Sequence, residues 1–410
     1  MDEEKIPAER IHDQSRSELD KLPLLEQQKQ ALMPLLLKLV ERANAPRFAR
    51  HYGKIHPNSP RLHFAHKLEV LRSRFGAHGF TEEAYLRAAT RQPSVFFQTP
   101  GTIVTNIQAV MHHFETCGLT IDAYLRAALK QPALFALRPA TPIRNIEGPV
   151  RHFATDGLTT ETYLRAALEH PALFALRPTT PIENIEGIVR RMAKHGLTTR
   201  AYLRAALKHP QLFSQSPATV LRNLEGVVTH FASDGLTIDA YVSAALRQPS
   251  LFSLRPTTPI HSVEQVVRHF AKDGLLTATY IRAALRQPSL FYQRAVTLVA
   301  NVEGVTSHFA CDGLVTHDYL RSALRFPQLF CQRPSTLIAN VSGTVAQFAP
   351  HGVTVRSYLP LALARPQLFS QKPEALAMDS RLIRAMRYRG LLSATAAQQL
   401  EANARNRGRE

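Results

Sequence analysis

Glycine recurs at positions 79, 118, 157, 196, 235, 274, 313 and 352, at one constant spacing without slippage. A tyrosine, a proline and a phenylalanine keep the same period. One copy runs from Gly157 to His195 as GLTTETYLRAALEHPALFALRPTTPIENIEGIVRRMAKH, and Gly196 begins the next. A fixed period between ~20 and ~50 residues is the signature of a solenoid, whose stacked units share one continuous core. That overrides the prior of two or three domains for 410 residues. The expected fold class is therefore all-α: an α-solenoid of eight 39-residue units with helical caps at both ends. Function then has to be sought in rows of equivalent residues.

Each unit reads as helix A, a short Pro-x-Leu-Phe 3₁₀ turn, and helix B. In the unit at Gly118, Thr120 is the expected N-cap and Asp122 suits the first turn. Ile121, Tyr124, Leu125, Ala128 and Leu129 form one apolar stripe. Pro132 stops the helix, because proline lacks an N–H and restricts the residue before it. Pro132-Ala133-Leu134-Phe135 then plugs an aromatic ring into the core. Thr180-Pro181-Ile182-Glu183 predicts the start of helix B, with Thr180 as N-cap and Glu183 closing a capping box. Ile182, Ile185, Val189 and Met192 are its expected buried stripe. A glycine inside helix B (148, 187, 226, 304, 343) costs about 1 kcal/mol of propensity, so its recurrence predicts something packed against bare backbone. The anchoring glycine ends helix B in the left-handed conformation.

Three regions follow. Residues 1–66 hold a frayed polar start, a capping helix within 22–40 and a basic connector at 43–63. Residues 67–372 are the repeat array. Residues 373–410 are a C-terminal cap of two short helices, Ala375–Tyr388 and Ser393–Ala404, with a basic tail from Arg405 to Arg409.

The order Pro-x-Leu-Phe, amphipathic helix, Gly-Leu-Thr, second helix resembles the mitochondrial transcription termination factor (mTERF) family over residues 67–372. The resemblance implies helix–helix–3₁₀ units that curve around nucleic acid, mostly double-stranded DNA. The regular copies, with Leu-Thr after each unit's glycine, also look like bacterial TAL-effector-type DNA-binding arrays. Those units are shorter and carry a Gly-Gly after their base-reading pair. No such Gly-Gly stands here, so no one-base-per-repeat code carries over.

Composition points the same way. A net charge of +18 and a pI near 10.2 favour an anionic partner. The cations fall in rows. A loop row holds Arg138, Arg177, Arg255, Arg294, Arg333 and Lys372. A helix A row holds Arg87, Arg126, Arg165, Arg204, Arg282 and Arg321. One turn later come Arg91, Lys130, Lys208, Arg247, Arg286 and Arg325. The first two rows are the candidate nucleic-acid-binding residues, matched to phosphates whose neutralisation releases counterions. Copying one solvated arginine would also produce such rows, and helix A arginines could instead pair with the helix B glutamates Glu147, Glu186, Glu225, Glu264 and Glu303.

Other rows read as structure. His113, His152, His230, His269 and His308 belong to different units ~10 Å apart, too far to share a metal that needs ligands at ~2 Å. The tyrosines from Tyr85 to Tyr358 are expected in the core with each hydroxyl reaching a partner. Asn106, Asn145, Asn184, Asn223, Asn301 and Asn340 predict a ladder between units rather than adenine readout. No Gly-rich phosphate loop, nucleophile elbow or HExxH is present, so no enzyme, cofactor or metal site is expected. The expectation is a monomeric regulator of transcription that binds duplex DNA through backbone phosphates. It has no membrane or small-molecule partner and works in a reducing, intracellular compartment. A protein-interaction scaffold, such as a secreted bacterial effector acting in a host cell, and a single-stranded RNA binder are the alternatives. Three scattered cysteines, Cys117, Cys311 and Cys331, fit that compartment.

Overall fold

The computed structural model describes residues 8–45 and 64–407. The chain divides into two compact units, one of Met1–Arg191 and Thr198–Pro217, the other of Met192–Leu197 and Ala218–Glu410. Among the described residues every regular element is helical and no strand occurs. No described helix is long and apolar enough to cross a membrane.

Helix A has the same length, three turns, in every sequence repeat. In the first unit it is Glu82–Arg91, Ile121–Lys130, Thr160–Glu169 and Thr199–Lys208; in the second, Ile238–Arg247, Thr277–Arg286, Thr316–Arg325 and Val355–Ala364. The expected caps are made: Thr120 Oγ1 accepts from Ala123 N at 3.3 Å, and Thr198 Oγ1 from Ala201 N at 3.2 Å. Leu276 and Val315 stand in that place in two copies and cap nothing. The proline stop also holds, with Gln131 at φ −119, ψ 85 leading out of the helix into Pro132. Pro132–Phe135, Pro210–Phe213 and Pro249–Phe252 are 3₁₀ turns, whereas Ala172–Ala175 and Gln328–Cys331 close as single α turns. Buried phenylalanines of these turns receive a tyrosine edge-on from the preceding repeat, as in Tyr163–Phe213 (5.0 Å) and Tyr241–Phe291 (5.2 Å).

Helix B departs from expectation at its start. Thr180 is not an N-cap: the helix Thr179–Met192 begins directly after Pro178, with Pro181 inside its first turn. First-turn N–H groups have no intrahelical acceptor, so a proline fits there, and the Arg-Pro pair before it has already set the entry. Glu183 is exposed and closes no capping box. The buried stripe is Ile185, Ile188 and Met192, while Ile182 and Val189 are only partly covered. A 3₁₀ turn follows, and then the anchoring glycine, at φ between 78 and 91 in all eight places.

The glycine inside helix B is bare for the expected reason. A Cβ at Gly226 would lie 2.7 Å from Cγ of Pro256, and one at Gly187 2.7 Å from Cγ of Pro217. The proline that opens the next helix B sits on it. The asparagine ladder runs beside this contact: Asn145 Nδ2 donates to Phe174 O at 2.8 Å, and Asn301 Nδ2 to Phe330 O at 2.9 Å.

Both caps are more ordered than expected. Ala8–Asp20 is a helix, not a frayed start, because Glu18 is buried and accepts from Ala65 N at 3.2 Å. Glu26–Asn44 follows, and its Arg42 donates to Thr90 O at 2.7 Å. The basic connector falls, from residue 46 on, outside the described residues. The C-terminal end has three helices, Pro373–Ala377, Ser380–Tyr388 and Ala394–Arg407. Asp379 breaks the first two apart by accepting from Arg381 N at 2.8 Å. The tail is helical through Arg407, and 408–410 lie outside the described residues.

Candidate nucleic-acid interface

The loop cations stand where each Pro-x-Leu-Phe turn hands over to the following helix, which is helix B for all but Lys372, where it is Pro373–Ala377. Arg138 and Arg177 belong to the first compact unit; Arg255, Arg294, Arg333 and Lys372 belong to the second. All six are exposed. Their main chains start the helices: Thr141 N donates to Arg138 O at 2.9 Å, Thr258 N to Arg255 O at 3.0 Å, and Thr336 N to Arg333 O at 3.1 Å. Their side chains make no hydrogen bond or ion pair among the described residues. This is the wrong end of a helix for a cation. The N-terminus carries partial positive charge, so each of these residues opposes the dipole by some tenths of a kcal/mol, and the same end favours an anion.

The helix A row is mixed. Arg87 is 2.5 Å from Glu83 and Arg165 is 2.9 Å from Glu161, one helical turn away in each case. Arg282 Nε donates to Ala278 O at 3.3 Å, and Arg321 shares a hydrogen bond with His317 at 2.8 Å. Only Arg126 and Arg204 have no partner among the described residues. All six are exposed, and exposed i,i+4 pairs exchange partners at little cost.

The row one turn later is structural. Arg91 donates to Leu129 O, Arg247 to Leu285 O, Arg286 to Leu324 O and Arg325 to Leu363 O. Each acceptor lies in the last turn of the following helix A, where carbonyls lack an intrahelical donor. Arg42 does the same for Thr90 from the N-terminal cap. Lys130 and Lys208 make no such bond.

The acidic row does not neutralise helix A. Glu147, Glu186, Glu264 and Glu303 each sit 2.8 Å from Nε2 of a histidine on the preceding helix B: His113, His152, His230 and His269. Those histidines also lie edge-on to the next phenylalanine. No cluster of potential metal ligands occurs among the described residues. The eight periodic tyrosines, Tyr85 to Tyr358, are buried and cannot stack on bases, and several of their hydroxyls miss the expected partner. Tyr85 OH donates to Val95 O at 3.3 Å, but the hydroxyls of Tyr163, Tyr241, Tyr280 and Tyr319 have none. Burial pushes each phenol well above its ordinary 10.0.

Sequence reading missed one basic site. Arg365, Arg381, Arg384 and Arg389 line a cavity of about 830 Å³ in the second unit, with the 93% exposed Tyr388 at its edge. Arg384 Nε lies 3.8 Å from Glu401. Arg365 was the available signal, since its row otherwise carries Gln, His or Phe. The helix that completes the cavity lies beyond the periodic residues.

The chain matches no protein-family model, and no curated protein matches it.

Proposed function

We propose that the eight sequence repeats are the units of an α-solenoid that binds nucleic acid, duplex DNA in the first place, through backbone phosphates. The observation that carries the reading is the loop row: six exposed cations without a side-chain partner, each at the positive end of a helix. The fold gains nothing from them there, whereas a phosphate would satisfy both the guanidinium and the helix terminus. Arg126 and Arg204 join them as unengaged charges, and Arg87, Arg165, Arg282 and Arg321 join by exchanging weak partners. The arginine-lined cavity offers a further place for phosphate oxygens. The resemblance of the repeat to mTERF-type arrays agrees with duplex DNA and with a role in transcription. The reading assigns no catalysis to the chain, which acts as a monomer.

The test is a titration of the full chain with a duplex at several salt concentrations. Six loop contacts give a slope of log K against log salt of about −5. A flat response, or no binding at low salt, overturns the reading. Competition with single-stranded RNA of equal length decides the nucleic acid: RNA winning would turn the proposal to an RNA binder. The eight periodic tyrosines are buried and give that alternative no repeated stacking row along the array.

A further inference from the structure

One junction lacks both partners of a contact that holds five others. Wherever helix B carries glycine at this register, a proline at the start of the next long helix, or for Gly343 of the first C-terminal helix, rests against it: Gly148 with Pro178, Gly187 with Pro217, Gly226 with Pro256, Gly304 with Pro334 and Gly343 with Pro373. Between Thr257–His269 and Ala295–His308 both partners are gone. Gln265 replaces the glycine and Ala295 the proline. The neighbouring positions change with them. Ser262 stands for the ladder asparagine and donates to Gln293 O at 2.6 Å, rather than to a phenylalanine carbonyl. Tyr292 stands where the other copies carry Ala, Ser or Cys, apart from Phe97 in the first.

The result is an open cavity of about 710 Å³ within the second compact unit, inside the ~300–1,000 Å³ range of small-ligand sites. Loss of a proline alone would leave a greasy gap. Here the gap is furnished: an aromatic ring from Tyr292, amides from Gln265 and Gln293, the guanidinium of Arg294, and His261 held by Gln265 Nε2 at 2.7 Å. Gln293 Oε1 is buried with no hydrogen-bond partner, as Gln215 Oε1 and Gln332 Oε1 are at the same register, while the Gln293 side chain also bonds the Cys331 thiol. Val296 beside it is 78% exposed, an apolar surface without cover.

We propose that this junction binds a planar, hydrogen-bonding ring that carries an anionic group, of which a nucleoside monophosphate is the simplest example. Tyr292 supplies the stacking face, Gln265 and Gln293 read the ring edge, and Arg294 takes the phosphate. The inference goes beyond duplex binding and does not need it.

The repeat supplies its own control. In Gln265→Gly/Ala295→Pro the junction regains the contact used at five others. The backbone accepts it: Arg294 lies at φ −61, ψ 128, close to Arg333 before Pro334 at φ −63, ψ 137. Calorimetric titration of the full chain with AMP, GMP, CMP and UMP in turn should show at least one binding with unit stoichiometry. Adenosine and inorganic phosphate should bind more weakly. Q265G/A295P should bind at least about tenfold more weakly while melting no lower than the parent, and Tyr292→Ala and Arg294→Ala should each weaken binding, as loss of anchor contacts does. Competition between a mononucleotide and a trinucleotide identifies the source, free ligand or strand; either supports the pocket. Four results each overturn it: no nucleotide bound at millimolar concentration, phosphate bound as well as nucleotide, Q265G/A295P binding like the parent, or both single variants binding like the parent.

Discussion

Two sets of arginines recur with the same period and look alike in sequence, yet they sit at opposite ends of helices. Arg91, Arg247, Arg286 and Arg325 lie in the last turn of helix A and bond carbonyls at the last turn of the following one. There the dipole favours a cation and unpaired acceptors await one. Arg138, Arg177, Arg255, Arg294 and Arg333 lie at the start of helix B, and Lys372 at the start of the first C-terminal helix, where both conditions are reversed. A charge whose place the fold explains is evidence about the fold. A charge that the fold would rather not have, repeated six times, is evidence about something else.

The widest separation of the two sets comes from removing them in turn. Replacing all six loop cations by Gln should make the slope of log K against log salt for duplex binding shallower by about 5, leaving only the share of the helix A arginines, with a loss on the order of a thousandfold or more at moderate salt. Stability should hold or rise slightly, because unfavourable dipole contacts go with the charges. If the variant instead melts lower and keeps its slope, the comparison fails. The converse set, Arg247→Gln/Arg286→Gln/Arg325→Gln, should lower stability by about 1 kcal/mol per bond and leave the slope nearly unchanged, read by denaturant unfolding and the same titration. Between the extremes lie Arg87 and Arg165. Glu83→Gln/Glu161→Gln frees both arginines and should strengthen duplex binding by no more than a few fold, with a stability change under ~0.5 kcal/mol. No gain in affinity would take these two out of the interface.

What was legible in the sequence follows from the same distinction. Local rules acting within one unit read through well. Thr120 capped, Pro132 stopped its helix, and Gly118 took φ 78. The glycine at 226 announced a close approach, although only the structure named Pro256 as what approaches. The start of helix B was misplaced because Thr180-Pro181 and Arg177-Pro178 are both good openings, and the earlier one won. Partners between units were hidden, since nothing in composition ties His152 on one helix B to Glu186 on the next. Most hidden was the meaning of an exception. Gln265, Tyr292 and Ala295 belong to separate rows of the sequence, and only the fold puts them around one cavity.

The tyrosine row carries the comparison to an uncharged group, with the smallest effects. Tyr85 and Tyr241 occupy the same register and both are buried, but only Tyr85 has a hydrogen-bond acceptor for its hydroxyl. Tyr85→Phe should lose about 1 kcal/mol, whereas Tyr241→Phe should be neutral or stabilising, because an unpaired buried hydroxyl is a liability. Alkaline pH separates them from a packing effect. Burial holds these phenols well above 10.0 in the folded chain, so the folded state keeps protons that the unfolded state releases. Their contribution is fully present below pH 10 and is lost as pH rises above it. Unfolding curves for Tyr241→Phe should therefore decline less steeply than the parent's above pH 10 and coincide with them in shape below it. Equal decline in both proteins would mean that the hydroxyl of Tyr241 is reached by solvent, and that recurrence, here as in the helix A row, had been mistaken for equivalence.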